Sequence, residues 1–163
     1  MTPRPDNAAL LGAILALDLL TLPTHTEQAG DVFDVAQHRA SLAAALASAQ
    51  VVTVERNGQV VAYALLLPDT ADCAFVSGFC IHPDWRNASV TQALVSGVFK
   101  LARRAGVSTL RSHVYKTNAL SLAFHHRLGF TITRENAKAV EFHLPLANVL
   151  QSATLRRIAV RAA

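Results

Sequence analysis

The amino-acid sequence predicts one α/β (α+β) domain, in which a mixed central sheet has helices on both faces. Strand-like and helix-like segments alternate over the middle of the chain, and this alternation is typical of such a layered sheet. Asn57-Gly58 separates two strand-like segments and is a preferred two-residue hairpin turn, so part of the sheet is antiparallel. The length of 163 residues suits a single domain with a substantial core.

Hydrophobic periodicity and helix-breaking residues place the individual elements. The first helix is expected to end before Pro23, and residues 22–34 are expected to form a polar loop. Gly106 and Gly129 are expected to stop two later helices. The predicted helices cover residues 7–20, 36–49, 89–105 and 118–128. The predicted strands cover residues 51–56, 59–67, 74–81, 109–115, 130–133 and 140–146.

The connection after the third predicted strand has the features of a phosphate-binding loop. Ser89 and Gln92 have the spacing of a capping box, so a helix is expected to begin at Ser89. The first N–H groups of a helix have no partner inside it, and the helix dipole is positive at this end. A phosphate group is therefore a suitable ligand for this loop.

Two motifs together resemble the Gcn5-related N-acetyltransferases (GNAT superfamily). The loop of that family reads Arg/Gln-x-x-Gly-x-Gly/Ala, and the chain has Arg86-Asn87-Ala88-Ser89-Val90-Thr91 in register. A later family motif contains Asn, a small residue, Tyr or sometimes His, and then Gly-Phe, and here it reads Asn118, Ser121, His125 and Gly129-Phe130. The resemblance covers residues 51–146. The chain departs from it at both loop glycines, where it has Ser89 and Thr91.

The resemblance implies an acyl-CoA N-acyltransferase fold, with a mostly antiparallel sheet, and acetyl-CoA (coenzyme A) as the cofactor. Backbone groups of Phe79, Cys80 and Ile81 would pair with the pantetheine arm, and one amide would polarise the thioester carbonyl. The pyrophosphate would lie over the loop. The other cofactor-binding residues that the resemblance implies are Arg86, Asn87, Ala88, Ser89, Val90, Thr91, Asn118 and Ser121. Without a cofactor, Ser89 would be only a helix cap and Arg86 only a surface charge.

His125 has two alternative roles. It takes the position at which the family places the Tyr that protonates the departing CoA thiolate, and an imidazole can also supply a proton near neutral pH. In the second role His125 packs on its helix face and does no chemistry. We expect no metal, since the chain has no Cys and His spacing typical of zinc sites.

The acceptor side of the reaction is less clearly marked. The candidates for a general base are Glu55, Asp72, His82 and His113, by their position on or near strands alone. The loop that precedes the second helix would border the acceptor in this family. Its candidate substrate contacts are Thr24, His25, Glu27 and Asp31.

The predicted activity is transfer of an acetyl group from acetyl-CoA to a primary amine of a small molecule or a protein. The alternative is a degenerate domain without catalysis that binds CoA or only a partner protein. The replaced loop glycines favour this alternative. The Arg at 86, the Asn at 118 and the Gly-Phe pair at 129–130 favour the enzyme.

Composition narrows the range of partners and compartments. The net charge of +4 is ordinary for a soluble protein, and no basic run with interleaved aromatic residues predicts nucleic-acid binding. The N-terminal apolar run is too short to span a bilayer, so no membrane association is expected. Cys73 and Cys80 lie too far apart along one strand to form a disulfide, which suits the reducing cytoplasm.

The two ends of the chain differ from the family pattern. The acetyltransferase domain is expected over residues 1–146, although residues 1–6 contain no strand of the kind that opens the family fold. Residues 147–163 form an extra tail, which is predicted to be an edge strand or a short helix. The apolar first helix and this tail predict a homodimer, because exposed apolar surface usually marks a contact.

Overall fold

The computed structural model of the protein describes residues 7–149. The helices are α1 (Asn7–Asp18), α2 (Leu22–Gln28), α3 (Val35–Ser48), α4 (Ala88–Arg104), α5 (Ala119–Arg127) and α6 (Leu146–Val149). A one-turn 3-10 helix, Pro83–Trp85, precedes α4. The strands are β1 (Gln50–Arg56), β2 (Gln59–Pro68), β3 (Cys73–Ile81), β4 (Thr109–Tyr115), β5 (Thr131–Glu135) and β6 (Ala139–Pro145). The predictions made for residues 1–6 and for most of the tail lie outside the described residues.

All six described strands form one sheet in the order β1-β2-β3-β4-β6-β5. Every neighbouring pair is antiparallel except β3 and β4, which run parallel. This arrangement confirms the predicted mixed, mostly antiparallel sheet.

The parallel pair separates halfway along its length. β3 and β4 are paired from Cys73 with Thr109 to Val76 with Ser112, and no pairing is present beyond that point. Each strand nevertheless continues, β3 alongside β2 and β4 alongside β6. The sheet is therefore open between the C-terminal halves of β3 and β4, and backbone groups on both sides of this opening are left for a ligand.

Helices cover the two faces of the sheet unequally. On one face α1 and α3 pack over β2, where Tyr63 and Leu65 belong to a small core. On the other face α4 packs along the sheet, and its apolar side chains join β2, β4 and β6 in the main core. Phe142 of β6 and Leu94 of α4 are fully buried there. Helices on both faces are thus confirmed.

The structure differs from three of the element predictions. α1 ends at Asp18, and the predicted loop at 22–34 contains the short helix α2, which has Pro23 in its first turn. Proline is tolerated there because the first helical N–H groups have no partner inside the helix. α4 begins at Ala88 with Asn87 as its cap, one residue before the predicted start at Ser89.

The predicted hairpin between β1 and β2 is confirmed. Asn57 and Gly58 have φ angles of 53° and 75°, so both central residues of the turn are left-handed. Asn and Gly are the residues that tolerate this conformation best, and the turn twists in the same sense as the strands that it joins. It brings Arg56 opposite Gln59 at the end of the sheet.

No single described helix is long and apolar enough to cross a membrane. α1 and α2 together meet the criteria of length and composition, but they are bent by 49° at the break between them.

Candidate active site

The opening between β3 and β4 exposes backbone groups at the C-terminal end of β3. His82 N–H donates to the carbonyl of Val61 in β2 at 2.8 Å. Paired and unpaired positions alternate along an antiparallel ladder, so Phe79 and Ile81 direct their N–H and C=O groups away from β2 and into the opening. The Nε of Arg86 donates to the Ile81 carbonyl at 3.4 Å.

Cys80, which the sequence grouped with these two residues, has a different environment. Its backbone faces β2, opposite Tyr63. Its side chain is packed with the α1 and α3 core, and burial raises the pKa of the thiol to about 11. The thiol is thus protonated at neutral pH. Cys73 is also a free thiol, so the described cysteines form no disulfide, as predicted.

The start of α4 adjoins this opening. The side-chain oxygen of Asn87 accepts a hydrogen bond from the Val90 N–H at 3.0 Å. The backbone carbonyl of Asn87 accepts one from the Thr91 N–H. Ala88 and Ser89 are the first two residues of the helix, so their N–H groups have no intrahelical acceptor. Two free N–H groups and the positive end of the helix dipole therefore meet at the 86–91 loop, as an anion site requires.

An apolar cavity lies behind the opening. The rings of Phe79 and Phe124 are 5.3 Å apart and form part of its wall. The other residues that line it come from β3, α4, β4, α5 and the connection between α5 and β5: Val76, Val95, Val98, Phe99, Leu110, His125, Leu128 and Phe130. The cavity has a volume of about 30 Å³, far below that of a ligand pocket, so its walls would have to separate to admit part of a ligand.

The second motif forms the start of α5. The Asn118 side-chain oxygen accepts the N–H of Ser121 at 3.1 Å, so Asn118 is the predicted helix cap. The Ser121 hydroxyl lies 3.4 Å from Nδ1 of His125, and both residues are one turn apart on the same helix. Gly129, with a φ of 87°, ends the segment as predicted.

His125 is buried and both of its ring nitrogens are engaged. Nδ1 lies 2.8 Å from the carbonyl of Ser121, which only accepts, so this nitrogen carries the proton. Nε2 lies 3.1 Å from the hydroxyl of Ser112 and accepts its hydrogen. The ring also stacks on Phe142 at 4.7 Å, and burial lowers the imidazole pKa. A neutral ring with these partners has no free proton to donate, which favours the packing alternative for His125.

A polar surface lies on the other face of the sheet, over β4 and β6. Alternate residues of these strands point away from the main core, and we refer to Arg111, His113, Tyr115, Glu141 and His143 as the polar face. This face continues the side that α1 and α3 cover over β2. His113 has an exposed side chain, so the polar face is accessible to an acceptor molecule.

Glu141 is the centre of the polar face. Nε2 of His113 lies 2.9 Å from one carboxylate oxygen, and Nη1 of Arg111 donates to the same oxygen at 2.8 Å. Nε2 of His143 lies 3.2 Å from the other oxygen, which also accepts from Thr133. The hydrogen bond from His113, with those from Arg111 and His143, lowers the Glu141 pKa to about 2. Glu141 is thus a fixed negative charge.

Arg111 holds this arrangement in place. Its Nε and Nη2 donate to the two oxygens of Asp69 at 2.9 Å each, while its third nitrogen reaches Glu141. The guanidinium also lies over the ring of Phe75 at 4.8 Å. With all three nitrogens engaged, Arg111 is a scaffold for Glu141 and is not free to bind a substrate carboxylate.

The α2–α3 connection borders the polar face. Asp31 accepts a hydrogen bond from the hydroxyl of Tyr115 at 3.2 Å and pairs with Lys138. The predicted contact at Asp31 therefore lies beside β4, as expected of a residue near the acceptor. Thr24 and Glu27 are exposed on α2, and Nδ1 of His25 is buried without a partner among the described residues.

The four candidate bases lie in different parts of the structure. Only His113 is on the polar face. Glu55 is on the edge strand β1, and Asp72 precedes β3, where its carbonyl accepts the N–H of Ser108. His82 caps the 3-10 helix, with its Nδ1 accepting from the N–H of Asp84 at 3.1 Å.

Sequence reasoning missed Glu141, Arg111, Asp69 and His143. A signal was present, since polar residues two apart recur on two strands that otherwise bury apolar side chains. It also missed a buried polar cluster on the same side of the sheet, beneath α1 and α3. There the Asp18 carboxylate accepts a hydrogen bond from the Tyr63 hydroxyl and lies 2.8 Å from Nε2 of His38. Among residues 7–149 no group of three or more His, Cys, Asp or Glu side chains could hold a metal ion.

Comparison with known proteins agrees with this geometry. The acetyltransferase (GNAT) family model matches residues 16–130. The L-methionine sulfoximine/L-methionine sulfone acetyltransferase of Salmonella typhimurium is 30% identical over 93 residues, covering 52% of this chain and 52% of that protein. The chain thus matches about half the length of that curated relative.

Solved structures show the same fold. An aminoglycoside 6′-acetyltransferase type Ii has a TM-score of 0.69 at 16% identity, over 88% of this chain and 94% of that chain. The protein yncA from Salmonella typhimurium, solved with its cofactor acetyl-CoA, has a TM-score of 0.61 at 22% identity, over 88% and 92% of the two chains. At these identities the likeness shows the acyl-CoA N-acyltransferase fold, as predicted.

Proposed function

The chain belongs to the acetyltransferase (GNAT) family, and we propose that it transfers an acetyl group from acetyl-CoA to a primary amine. One observation carries the proposal. The parallel strands β3 and β4 separate after Val76 and Ser112, and the opening ends at a helix start with free N–H groups. This combination offers backbone donors and acceptors for an extended arm and an anion site for its phosphates.

The cofactor would be held mainly by backbone groups. Phe79 and Ile81 would pair with the amides of the pantetheine arm, and an N–H from this segment would polarise the thioester carbonyl as the amine attacks. The N–H groups of Ala88 and Ser89, with Arg86, would bind the pyrophosphate. Cys80, Asn87, Val90, Thr91, Asn118 and Ser121 would support this site through packing, helix capping and hydroxyl contacts.

His113 is our proposed general base, oriented by Glu141. The distance from its Nε2 to the carboxylate oxygen, 2.9 Å, is shorter than the 3.3 Å to Arg111 Nη1, so Nε2 carries the proton. Nδ1 then has a free lone pair, which can accept a proton from the ammonium group of the acceptor and leave the neutral amine to attack the thioester. The amine and acetyl-CoA would approach the opening from the polar face.

A small-molecule amine is the proposed acceptor. Two of the similar proteins are named for small-molecule substrates. One is an acetyltransferase of L-methionine sulfoximine and L-methionine sulfone, and the other is an aminoglycoside 6′-acetyltransferase. The exposed side chain of His113 also leaves room for a protein amino group as the second choice. Glu141 and Asp69 share a single arginine, Arg111, so this part of the surface keeps a surplus of negative charge that favours a cationic acceptor.

A degenerate domain that binds CoA without catalysis is the second candidate. Ser89 and Thr91 at the glycine positions of the loop, and the engaged nitrogens of His125, favour it. The two functions differ in turnover and not in cofactor binding.

Incubation with acetyl-CoA and a panel of primary amines and peptides tests the proposal. We expect release of free CoA thiol that depends on at least one amine and equals the acetylated product measured by mass spectrometry. Binding of acetyl-CoA with no thiol release above background for any acceptor would favour the degenerate domain.

We further propose a homodimer in the cytoplasm. Large apolar side chains are exposed at the end of α1 and in the α2–α3 connection, namely Leu19, Leu20, Val32 and Val35. Such surface usually marks a contact. Two free cysteines suit a reducing compartment. Light scattering that gives the mass of a monomer at high micromolar concentration would refute the dimer.

A further inference from the structure

Arg56, the last residue of β1, reaches the start of α4. Its Nη2 donates to the Ser89 hydroxyl at 3.4 Å, and its Nη1 donates to the Glu55 carbonyl at 2.8 Å. The two residues are 33 positions apart in the chain. The hairpin turn after Arg56 therefore brings a second arginine to the loop that already contains Arg86.

The position of Arg56 is electrostatically unfavourable unless an anion is present. The N-terminus of α4 carries a partial positive charge, and a cation beside it is repelled. Arg86 adds a second positive charge next to the same helix start. Within residues 7–149 neither Arg56 nor Arg86 forms an ion pair with a carboxylate. By contrast, Arg111 is neutralised by two carboxylates.

The loop also lacks the donors that glycines would make accessible. A Cβ atom at Ser89 and at Thr91 keeps a phosphate farther from the backbone than glycine would. An arginine fork can supply the missing donors from the side, because it presents several N–H groups in one plane that match phosphate oxygens. Ser89 is then both the residue that replaces glycine and the residue that Arg56 contacts.

We propose that Arg56 is a further cofactor-binding residue, which donates to the pyrophosphate of CoA beside the first N–H groups of α4. This inference rests on the proposed function. It assigns to the β1–β2 hairpin a part in cofactor binding that neither of the two sequence motifs contains. The hairpin is held by its tight turn and by pairing with the sheet, so the guanidinium is presented from a rigid element.

Calorimetric titration with three ligands tests the assignment. CoA has both a pyrophosphate and a 3′-phosphate, dephospho-CoA has only the pyrophosphate, and pantetheine has neither. We expect Arg56→Ala to weaken binding of CoA and dephospho-CoA alike by about tenfold or more, with no change for pantetheine. Arg56→Lys should bind more tightly than Arg56→Ala, since it keeps the charge but loses the fork.

Arg134→Ala is the matched control. Arg134 is an exposed arginine of β5, and β5 and β1 are the two edges of the sheet. Its removal changes the net charge equally and should leave all three affinities unchanged. Equal CoA affinity of Arg56→Ala and the parent would overturn the inference, and a loss for CoA but not for dephospho-CoA would move Arg56 to the 3′-phosphate. A parent protein that does not bind CoA would instead refute the proposed function itself.

Discussion

At the scale of single residues, Glu141 shows how a charge can be fixed on an open sheet. Donors from three strands surround it, and its pKa is lowered to about 2, so it is ionised throughout the physiological range. A lowered carboxyl pKa contributes stability that is complete above the ordinary value of about 4.3 and is lost as the pH falls towards the folded value. The proposed base His113 depends on this carboxylate for its orientation.

Glu141→Gln should therefore reduce acetyl transfer without weakening acetyl-CoA binding. Glutamine is neutral, so the fixed negative charge beside His113 is lost. Its NH2 group is also a donor and would face groups that now donate to the carboxylate. We expect kcat/KM for the amine to fall by about tenfold to a hundredfold. The control is Glu135→Gln, since Glu135 is an exposed strand glutamate paired with Lys116. Equal losses in both variants would show that Glu141 has no special role.

His125→Phe separates the two roles of that residue. The contacts favour packing, so we expect turnover to change by no more than about threefold, whereas an acid role requires a loss of roughly 10²–10⁴-fold that His125→Tyr partly restores. Stability should fall by about 1–3 kcal/mol, because the buried Ser112 hydroxyl loses its acceptor. A large loss of turnover in a variant that still binds acetyl-CoA would make His125 the acid.

The same variant tests the lowered pKa of His125. A histidine with a lowered folded pKa contributes stability that is complete above about pH 6.5 and is lost as the pH falls through the folded value. The parent should thus lose more thermal stability than His125→Phe between about pH 7.5 and about pH 5.5. Parallel melting curves for the two proteins at both pH values would contradict this assignment.

At the scale of elements, α4 links the main core to the proposed phosphate site. Gly97 lets the helix approach β1, because a Cβ at this position would lie 2.4 Å from Cγ1 of Val52. Such a contact requires the Val52 side chain, the helix or the strand to shift. The position of the 86–91 loop therefore depends on Gly97, which lies nine residues after Ala88, the first residue of the helix.

Gly97→Ala should destabilise the protein and weaken acetyl-CoA binding together. Overpacking of this kind costs about 1–3 kcal/mol, more than the helix propensity of alanine restores. Gly12→Ala is the matched control, since no atom lies within 4 Å of its added Cβ and the change should be neutral or stabilising by up to about 1 kcal/mol. Chemical denaturation of both variants measures the difference, and equal stabilities would refute this view of α4.

Most elements could be predicted from sequence, and those that could not have local causes. The strands and the long helices lie within a few residues of their predicted bounds, because turn and capping residues such as Asn57-Gly58, Gly106, Asn118 and Gly129 mark several of their ends. α2 was missed because its polar seven residues give no periodicity, and Pro23 in its first turn resembles a terminator. The start of α4 was misplaced because Asn87 and Ser89 are both good caps.

At the scale of the whole molecule, the fold was predictable and the proposed cofactor loop could be located from the sequence, whereas the polar face was missed. The loop and the Asn118 motif are continuous in sequence, so local spacing indicates them. Glu141 and His113 are 28 residues apart and meet only because β6 pairs with β4 across the sheet. The contact between Arg56 and Ser89 likewise depends on how β1 packs against α4. Alternating polar residues mark one face of each strand, but nothing in the local sequence shows which residues of the two strands meet.

The central claim is that the opening between β3 and β4, with the 86–91 loop, binds acetyl-CoA. Calorimetric titration of acetyl-CoA into the parent protein and into Arg86→Ala tests it most directly. We predict one binding site per chain in the parent and a loss of about 1.5–3 kcal/mol in Arg86→Ala, because one charge-assisted phosphate contact is removed. A folded parent protein that shows no saturable binding of acetyl-CoA would contradict the account.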